Sequence, residues 1–486
     1  MVLSQVDCYI RETNTSASKY VELLGQTPHL LAHGVSLNNI SKRIWYITYE
    51  QIQKQSEEAA GLLKLWSFFD YEDLWYGLTK TALYIQTDMG DIIPEWLLPI
   101  ARDELKFAAA VDILSRYSLV RKNEDADSYT MQPGFHSWCL HLEESDKVDS
   151  LLCIALGIIA QHVPTDFGSD RQIQKRILPH AIRAVRFITR NARGKSHDEI
   201  PLPPWAFRKL GNLLFDEDQL SFAEEVYVQG VRRAEEIFGG LNQATLSACN
   251  NLGLLYLEQR QLDKAEAYLQ RAYDGSLNKG AYTMSLDMMN NIGNLLTAQG
   301  RLDGAEEIYN MALREKEKTL GEKDIGTLTT VNNLGNLYAA KRLRSEAEKM
   351  YTRALRGKEE VLGKDHESTL ITVNNLALLY TDWGRMYEAD SLYKRALQAK
   401  EKTCGAIHSS TLITVSNLAN LYRAQRRLVE AEAMYDRALK GKRMNLGENH
   451  PSTIITATNL KKLRKLQEVL GRRQVKNDTK RKSCWD

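Results

Sequence analysis

From about residue 205 to 465 the apolar positions of the chain fall into a pattern that repeats. The strings NNLGLLY (250–256), NNIGNLL (290–296), NNLGNLY (332–338), NNLALLY (374–380), SNLANLY (416–422) and TNLKKLR (458–464) begin 40, 42, 42, 42 and 42 residues apart. Counting back 42 from Leu252 reaches Leu210, within RKLGNLLF (208–215), a degenerate earlier member; seven units are expected, the last incomplete. In one unit Leu334, Gly335 and Tyr338 stand at i, i+1 and i+4, and Ala347, Tyr351 and Ala354 at i, i+4 and i+7, so each set forms one helical stripe. The pattern returns as Leu376, Ala377, Tyr380, Ala389, Tyr393, Ala396 and as Leu418, Ala419, Tyr422, Ala431, Tyr435, Ala438. Small residues let two helices approach closely, and Tyr and Leu fill the space beside them. Polar stretches such as KRLRSEA and QRRLVEA predict a short turn inside each pair. The connectors LGKDHESTL (362–370) and LGENHPSTI (446–454) predict the break between pairs, with Gly363 and Gly447 as left-handed C-caps and Ser368 or Ser452 as the next N-cap. A lone helical pair cannot bury its apolar face, so stacking of pairs must make the core.

This pattern resembles the tetratricopeptide repeat (TPR), and its 42-residue period with the LGxxHxxT connector resembles the kinesin-light-chain variety. The resemblance implies an all-α-dominant fold, a right-handed TPR α-solenoid whose first helices line a concave groove for an extended peptide. It also implies a groove role for Asn251, Asn291, Asn333, Asn375, Asn417 and Asn459, one per unit, immediately before the stripe Leu or Ile. An amide offers donors and an acceptor together, so it can hold a peptide main chain whatever the side chain. Asn290, Asn332 and Asn374, in the preceding polar column with Asn250, Ser416 and Thr458, complete the candidate groove. The competing reading of the asparagine column is a structural amide ladder that ties neighbouring helices together.

Residues 1–200 show no repeat. In SKRIWYITYEQIQKQSEEAAGLLKLWSFFDYEDLWYGLTK (41–80), the ordered blocks Trp45, Thr48, Tyr49, Glu50, then Ala59, Ala60, Leu62, Leu63, then Phe68, Phe69, Asp70 resemble the region after the nucleotide-binding core of fungal NB-ARC proteins of the STAND (NLR-like) class. Residues 107–142 resemble the winged-helix end of that module: a helix, a Ser-Leu-Val strand, a charged hairpin and a second strand. Residues 7–24 resemble the helix that follows that family's Gly-Leu-Pro-Leu-Ala segment. The implied organisation is a remnant helical segment at 1–40, a winged-helix-like module at 41–148, a helical linker at 149–204, the TPR array at 205–470 and a basic disordered tail at 471–486. PLPPW (201–205) is the strongest punctuation between the halves. The chain departs from the family in two ways. It has no G-x-x-x-x-G-K-[ST] and no apolar strand ending in paired acids, so the phosphate cradle and Mg²⁺ ligands of a P-loop NTPase are missing. It is expected to start just downstream of the nucleotide core, as a truncated product or a fragment. The family's Met-His-Asp-like motif reads Met131, Gln132, Pro133, and Gln cannot carry the charge of the His.

Composition adds mainly exclusions. Hydrophobic residues at 43% and charged residues at 26% are those of a folded chain, and a net charge of +2 predicts neither a nucleic-acid nor a membrane partner. No apolar run approaches the ~18 residues of a membrane span. Six scattered cysteines without CxxC spacing suggest a reducing, cytoplasmic setting. His136, Cys139 and His141 lack a second ligand pair for zinc and read as polar flanks of a buried Trp138. His366, His408 and His450 recur at the repeat spacing and belong to a structural turn. No Gly-x-Ser-x-Gly elbow is present and no cysteine has a matching His context. The basic stretch from Lys461 to Lys482 reads first as a capping helix and then as a solvated tail. The expected function is therefore a non-enzymatic scaffold or sensor without cofactor or metal. Its partners are proteins or extended peptides, self-association included, as in the ligand-recognition half of a fungal STAND receptor. A kinesin-light-chain-like cargo adaptor is the alternative; it wants an N-terminal heptad coiled coil, which residues 1–200 lack.

Overall fold

The computed structural model describes residues 2–26, 40–89, 92–124, 126–142, 145–164, 171–191, 202–278, 282–448 and 450–482. The chain divides into two compact units, Met1–Asp216 with Leu220–Ile237, and Glu217–Gln219 with Phe238–Asp486.

The first unit holds α1 (Val2–Thr13), α2 (Ala17–Gln26), α3 (Ile40–Gln55), α4 (Glu57–Trp66), α5 (Tyr76–Lys80), α6 (Ala82–Met89), α7 (Leu97–Arg102) and α8 (Glu104–Arg116). Strands β1 (Val120–Lys122) and β2 (Tyr129–Met131) follow, then α9 (Pro133–Cys139), α10 (Ser145–His162), α11 (Arg171–Asn191), α12 (Pro204–Asp216) and α13 (Leu220–Phe238). The core centres on α4. Ser56 caps it, its hydroxyl accepting from Ala59 N at 3.1 Å, and Glu57 and Glu58 favour the positive end of the helix dipole. Ala59, Ala60, Leu62, Leu63, Leu65 and Trp66 are all buried, as an apolar helix surrounded by others must be. Around it Trp66 meets Phe107 edge-on, and Trp45, Phe135 and Trp138 form a second aromatic group. The helix, strand, hairpin and strand anticipated within 107–142 are present: β1 and β2 pair antiparallel in the register Val120↔Met131, Arg121↔Thr130, Lys122↔Tyr129. α12 and α13 form the first helical pair, with Gly211 against the Tyr227 ring, and α12 packs on α10 and α11. Lys209 Nζ donates to Val163 O at 3.1 Å, and Trp205 Nε1 to Asp88 Oδ2 at 3.0 Å.

The second unit is a TPR α-solenoid of tandem hairpins: α14 (Gln243–Glu258) with α15 (Leu262–Asn278), α16 (Tyr282–Ala298) with α17 (Leu302–Thr319), α18 (Ile325–Ala340) with α19 (Arg344–Leu362), α20 (Glu367–Trp383) with α21 (Met386–Thr403), and α22 (Ser409–Ala424) with α23 (Leu428–Leu446), closed by α24 (Pro451–Lys482). Each helix packs on the next along the chain. The stripes explain the pairing. Ala347, Tyr351 and Ala354 are buried, and a Cβ added at Gly335 would lie 2.6 Å from the Tyr351 ring, so this position admits only the smallest residues. Second helices of successive pairs are joined by Arg353–Glu317, Arg395–Glu359 and Arg437–Glu401.

Three local expectations change. Gly363 and Gly447 do adopt positive φ, at 92° and 85°, but with ψ of 165° and 168°; this extended region is open essentially to Gly alone and differs from the left-handed helical cap. The N-caps are histidines, not serines: the Nδ1 atoms of His366, His408 and His450 accept from the backbone N of Ser368, Ser410 and Ser452 at 3.1, 3.2 and 3.2 Å. A neutral imidazole thus does what the Asp324 carboxylate does at α18, where it accepts from Gly326 N and Thr327 N. Finally, α24 continues to Lys482, through most of the stretch expected to be a tail, because helix propagates readily from a packed start through residues of fair helix propensity without proline. Residues 483–486 lie outside the described residues. No described helix is long and apolar enough to cross a membrane.

Candidate binding face of the first helices

One row of each first helix, spaced i, i+4, i+7, reads Asp287, Asn291, Asn294 on α16, Thr329, Asn333, Asn336 on α18, Ile371, Asn375, Leu378 on α20, and Ile413, Asn417, Asn420 on α22. The six middle asparagines, Asn251, Asn291, Asn333, Asn375, Asn417 and Asn459, are all half-buried, each beside a buried Leu or Ile. Asn290, Asn332 and Asn374, one residue earlier, are buried.

Asn290 Nδ2 donates to Thr330 Oγ1 at 2.9 Å and Asn374 Nδ2 to Thr414 Oγ1 at 2.8 Å, each reaching the first helix of the next pair. The half-buried column is partly tied in as well: Asn291 Nδ2 donates to Asn250 Oδ1 at 2.7 Å and Asn375 Nδ2 to Asn332 Oδ1 at 3.4 Å. Asn333 accepts from Asn332 at 3.5 Å, whereas Asn417 and Asn459 make no side-chain hydrogen bond among the described residues. A third set, Asn212, Asn294, Asn336 and Asn420, accepts from Tyr227, Tyr309, Tyr351 and Tyr435 of its own second helix.

Beneath this face lies a column that the reading of the sequence passed over. Lys316, Lys358, Lys400 and Lys442, at the repeat spacing in the second helices, are all buried. Lys358 Nζ donates to Thr372 Oγ1 at 3.2 Å and to Ser368 O at 3.4 Å; Lys442 Nζ donates to Ser416 Oγ at 3.0 Å and Thr456 Oγ1 at 2.9 Å. Burial pulls the pKa of both Lys358 and Lys442 down to about 8. Their regular recurrence beside buried threonines was the available signal.

The histidine–cysteine cluster of the first unit has structural partners. His136 is buried with Nε2 at 3.0 Å from Trp66 O and 3.1 Å from Phe69 O, and burial first, then the nearby Arg183, lowers its pKa to about 4. Burial pushes the Cys139 thiol well up. Gln132 accepts from Gln5 Nε2 at 3.3 Å, and Gln5 in turn accepts from Trp45 Nε1 at 3.1 Å. A cleft of about 530 Å³ beside Asp70, Asp73, Arg176 and His180 has its charges engaged: Arg176 donates to both Asp73 carboxylate oxygens and lies 4.0 Å from the centre of the Trp75 ring. Among the described residues no group of three or more His, Cys, Asp or Glu could hold a metal ion.

Family models described as tetratricopeptide repeat match residues 204–277, 284–360 and 344–402, and a second such model matches 411–452. No curated protein matches the chain. Among solved structures, BtubC (BKLC) from P. vanneervenii is 24% identical over 48% of this chain and 93% of its own, with a TM-score of 0.38. Nearly identical TPR-like repeats assigned to a kinesin light chain of Podosopora anserina are 20% identical over 42% of this chain and 97% of their own, at 0.35. A STAND protein with a TPR sensor, PH0952 from Pyrococcus horikoshii, is 14% identical over 96% of this chain and 69% of its own, at 0.39.

Proposed function

We propose that the tetratricopeptide repeats between residues 204 and 452 serve as a protein-interaction scaffold, with an extended peptide or partner segment lying along the first helices. The observation that supports this most is the half-buried asparagine column: six of the seven units keep an amide at the edge of solvent beside a buried apolar stripe, and among the described residues Asn417 and Asn459 make no side-chain hydrogen bond. Asn251, Asn291, Asn333, Asn375, Asn417 and Asn459 would hold the peptide backbone, while Asn290 and Asn374 keep the helices in register beneath it. The ordered blocks of the first unit, which resemble fungal NB-ARC proteins, favour the sensor half of a STAND-type receptor over a motor cargo adaptor. A cytoplasmic setting suits Cys8, Cys139, Cys153, Cys249 and Cys404, none of which forms a disulfide among the described residues.

The test is a random peptide library displayed against the full chain, followed by titration of the enriched peptides. The double substitution Asn333→Ala with Asn375→Ala should weaken them by about 1–3 kcal/mol while the helical melt persists. Unchanged binding by a folded double variant would move the interaction off this face.

A further inference from the structure

The lysine column has one irregularity that bears on what the face binds. Lys316, Lys358 and Lys400 place their ammonium groups alike, donating to Gly326 O at 3.4 Å, Ser368 O at 3.4 Å and Ser410 O at 3.1 Å, three carbonyls at equivalent points of successive first helices. Their counter-charges differ. Lys316 has Asp287 Oδ1 at 2.6 Å, and the Asp287 side chain is 72% exposed, on the same row as Asn291. A carboxylate on the solvent side of the face therefore reaches a buried ammonium. One unit on, the place of Asp287 is taken by Thr329, whose hydroxyl donates to Ile325 O at 2.8 Å. Lys358, 3% exposed, has only neutral oxygens as partners among the described residues. A buried cation without an anion is an expensive arrangement, and a carboxylate arriving from outside would relieve it. In the next two units the equivalent residues are Ile371 and Ile413, aliphatic and 44% and 49% exposed.

Resting on the reading that an extended peptide lies along this face, we infer that the face selects an acidic peptide: an Asp or Glu side chain sits over Thr329 and pairs with Lys358, and aliphatic side chains lie over Ile371 and Ile413. Packed helices lie about 8–10 Å apart and an extended chain rises about 3.3 Å per residue, so each unit spans about three peptide residues. The acid and the first aliphatic residue are thus about three positions apart.

The probe is the displayed library of random 12-residue peptides (about 40 Å when extended), screened on the full chain. Enriched sequences should share an Asp or Glu with aliphatic residues about three and six positions away. Thr329→Asp gives Lys358 the internal carboxylate that Asp287 gives Lys316. It should weaken these peptides about tenfold to hundredfold and raise the melting temperature of the array. Lys358→Met should weaken them as much, and decides the matter alone if Thr329→Asp does not fold. Peptides with the acid changed to its amide should bind the wild type and both variants equally. Enriched peptides that depend on Asn333 and Asn375 but have no acid, or ignore both substitutions, would overturn the carboxylate site and leave the binding face intact. A library that yields no peptide at all would overturn the binding face itself.

Discussion

The first unit packs around aromatic rings drawn from distant points in the chain, whereas the array packs around alanine and glycine supplied by each pair to itself. Trp45 and Trp138, or Trp66 and Phe107, meet once and nowhere else; Gly335 against Tyr351 is one copy of a contact also made by Gly293 with Tyr309. The buried titratable groups follow the same division. His136 and His180 are singular, each fitted to its own backbone partner, while the lysines are one device repeated in four successive second helices. A one-off core concentrates its stability in a few large residues and fails there. A repeated core distributes it and can vary one copy at a time, as Asp287 and Thr329 show.

The largest effect is expected at Trp66. Trp66→Ala should cost the first unit about 3–5 kcal/mol, read by urea unfolding followed through tryptophan emission, because six of the eight tryptophans lie in that unit. Gly335→Val in the array should cost about 1–3 kcal/mol by overpacking against Tyr351. Equal losses would dissolve the contrast.

Acid should strike the first unit. His136 and His180 have their pKa lowered, chiefly by burial, to about 4 against an ordinary value of 6.5. Between those values the unfolded chain binds more protons, so stability present above pH 6.5 is lost as pH falls toward 4, by about 3 kcal/mol for each group. Denaturant midpoints from pH 7 to 4, read by tryptophan emission, should fall accordingly, and a flat profile would contradict the burial argument.

The array should respond at alkaline pH instead. Lys358 sits at about 8 against an ordinary 10.5, so the folded state gains stability as pH rises through that window. Lys358→Met should raise stability near neutral pH by about 1–3 kcal/mol and flatten the alkaline rise, measured by helical melts from pH 7 to 10. The smallest effect concerns the turns. Arg342 holds φ at 61°, where Gly300 and Gly384 serve other pairs at 77° and 86°. Arg342→Gly should relieve strain by a few tenths to about 1 kcal/mol, and an outright loss of stability would mean that the arginine side chain has its own role.

The solenoid was legible in the sequence because its stripes depend on contacts between residues only about 12 to 20 apart, which periodicity records directly. The asparagine column could be located but its duties could not. Asn290 and Asn333 look alike as letters; only the crossing to Thr330, in the next first helix, shows that Asn290 is committed to the junction. The lysines were hidden for another reason: charged residues in a helix read as solvated, and burial against Thr372 or Thr456 is a property of the stack. The caps failed more locally, since His was treated as a connector marker when its Nδ1 is the acceptor the helix start requires. In the first unit, helix and hairpin blocks were readable, while the junction of Gln5, Gln132 and Trp45 joins residues too far apart in sequence to be foreseen.

The arginine–glutamate pairs between second helices also bear on how such a gene can change. Each of the pairs α19 and α21 belong to carries Arg toward the preceding neighbour and Glu toward the following one, as Arg353 with Glu359 and Arg395 with Glu401 show. A segment with complementary charges at its two edges fits against a copy of itself. In-frame duplication or loss of one 42-codon block here leaves every new junction matched, so unequal recombination can lengthen or shorten the array without a compensating mutation. The ladder makes the number of repeats an inherited variable, open to selection separately from the sequence of any one of them.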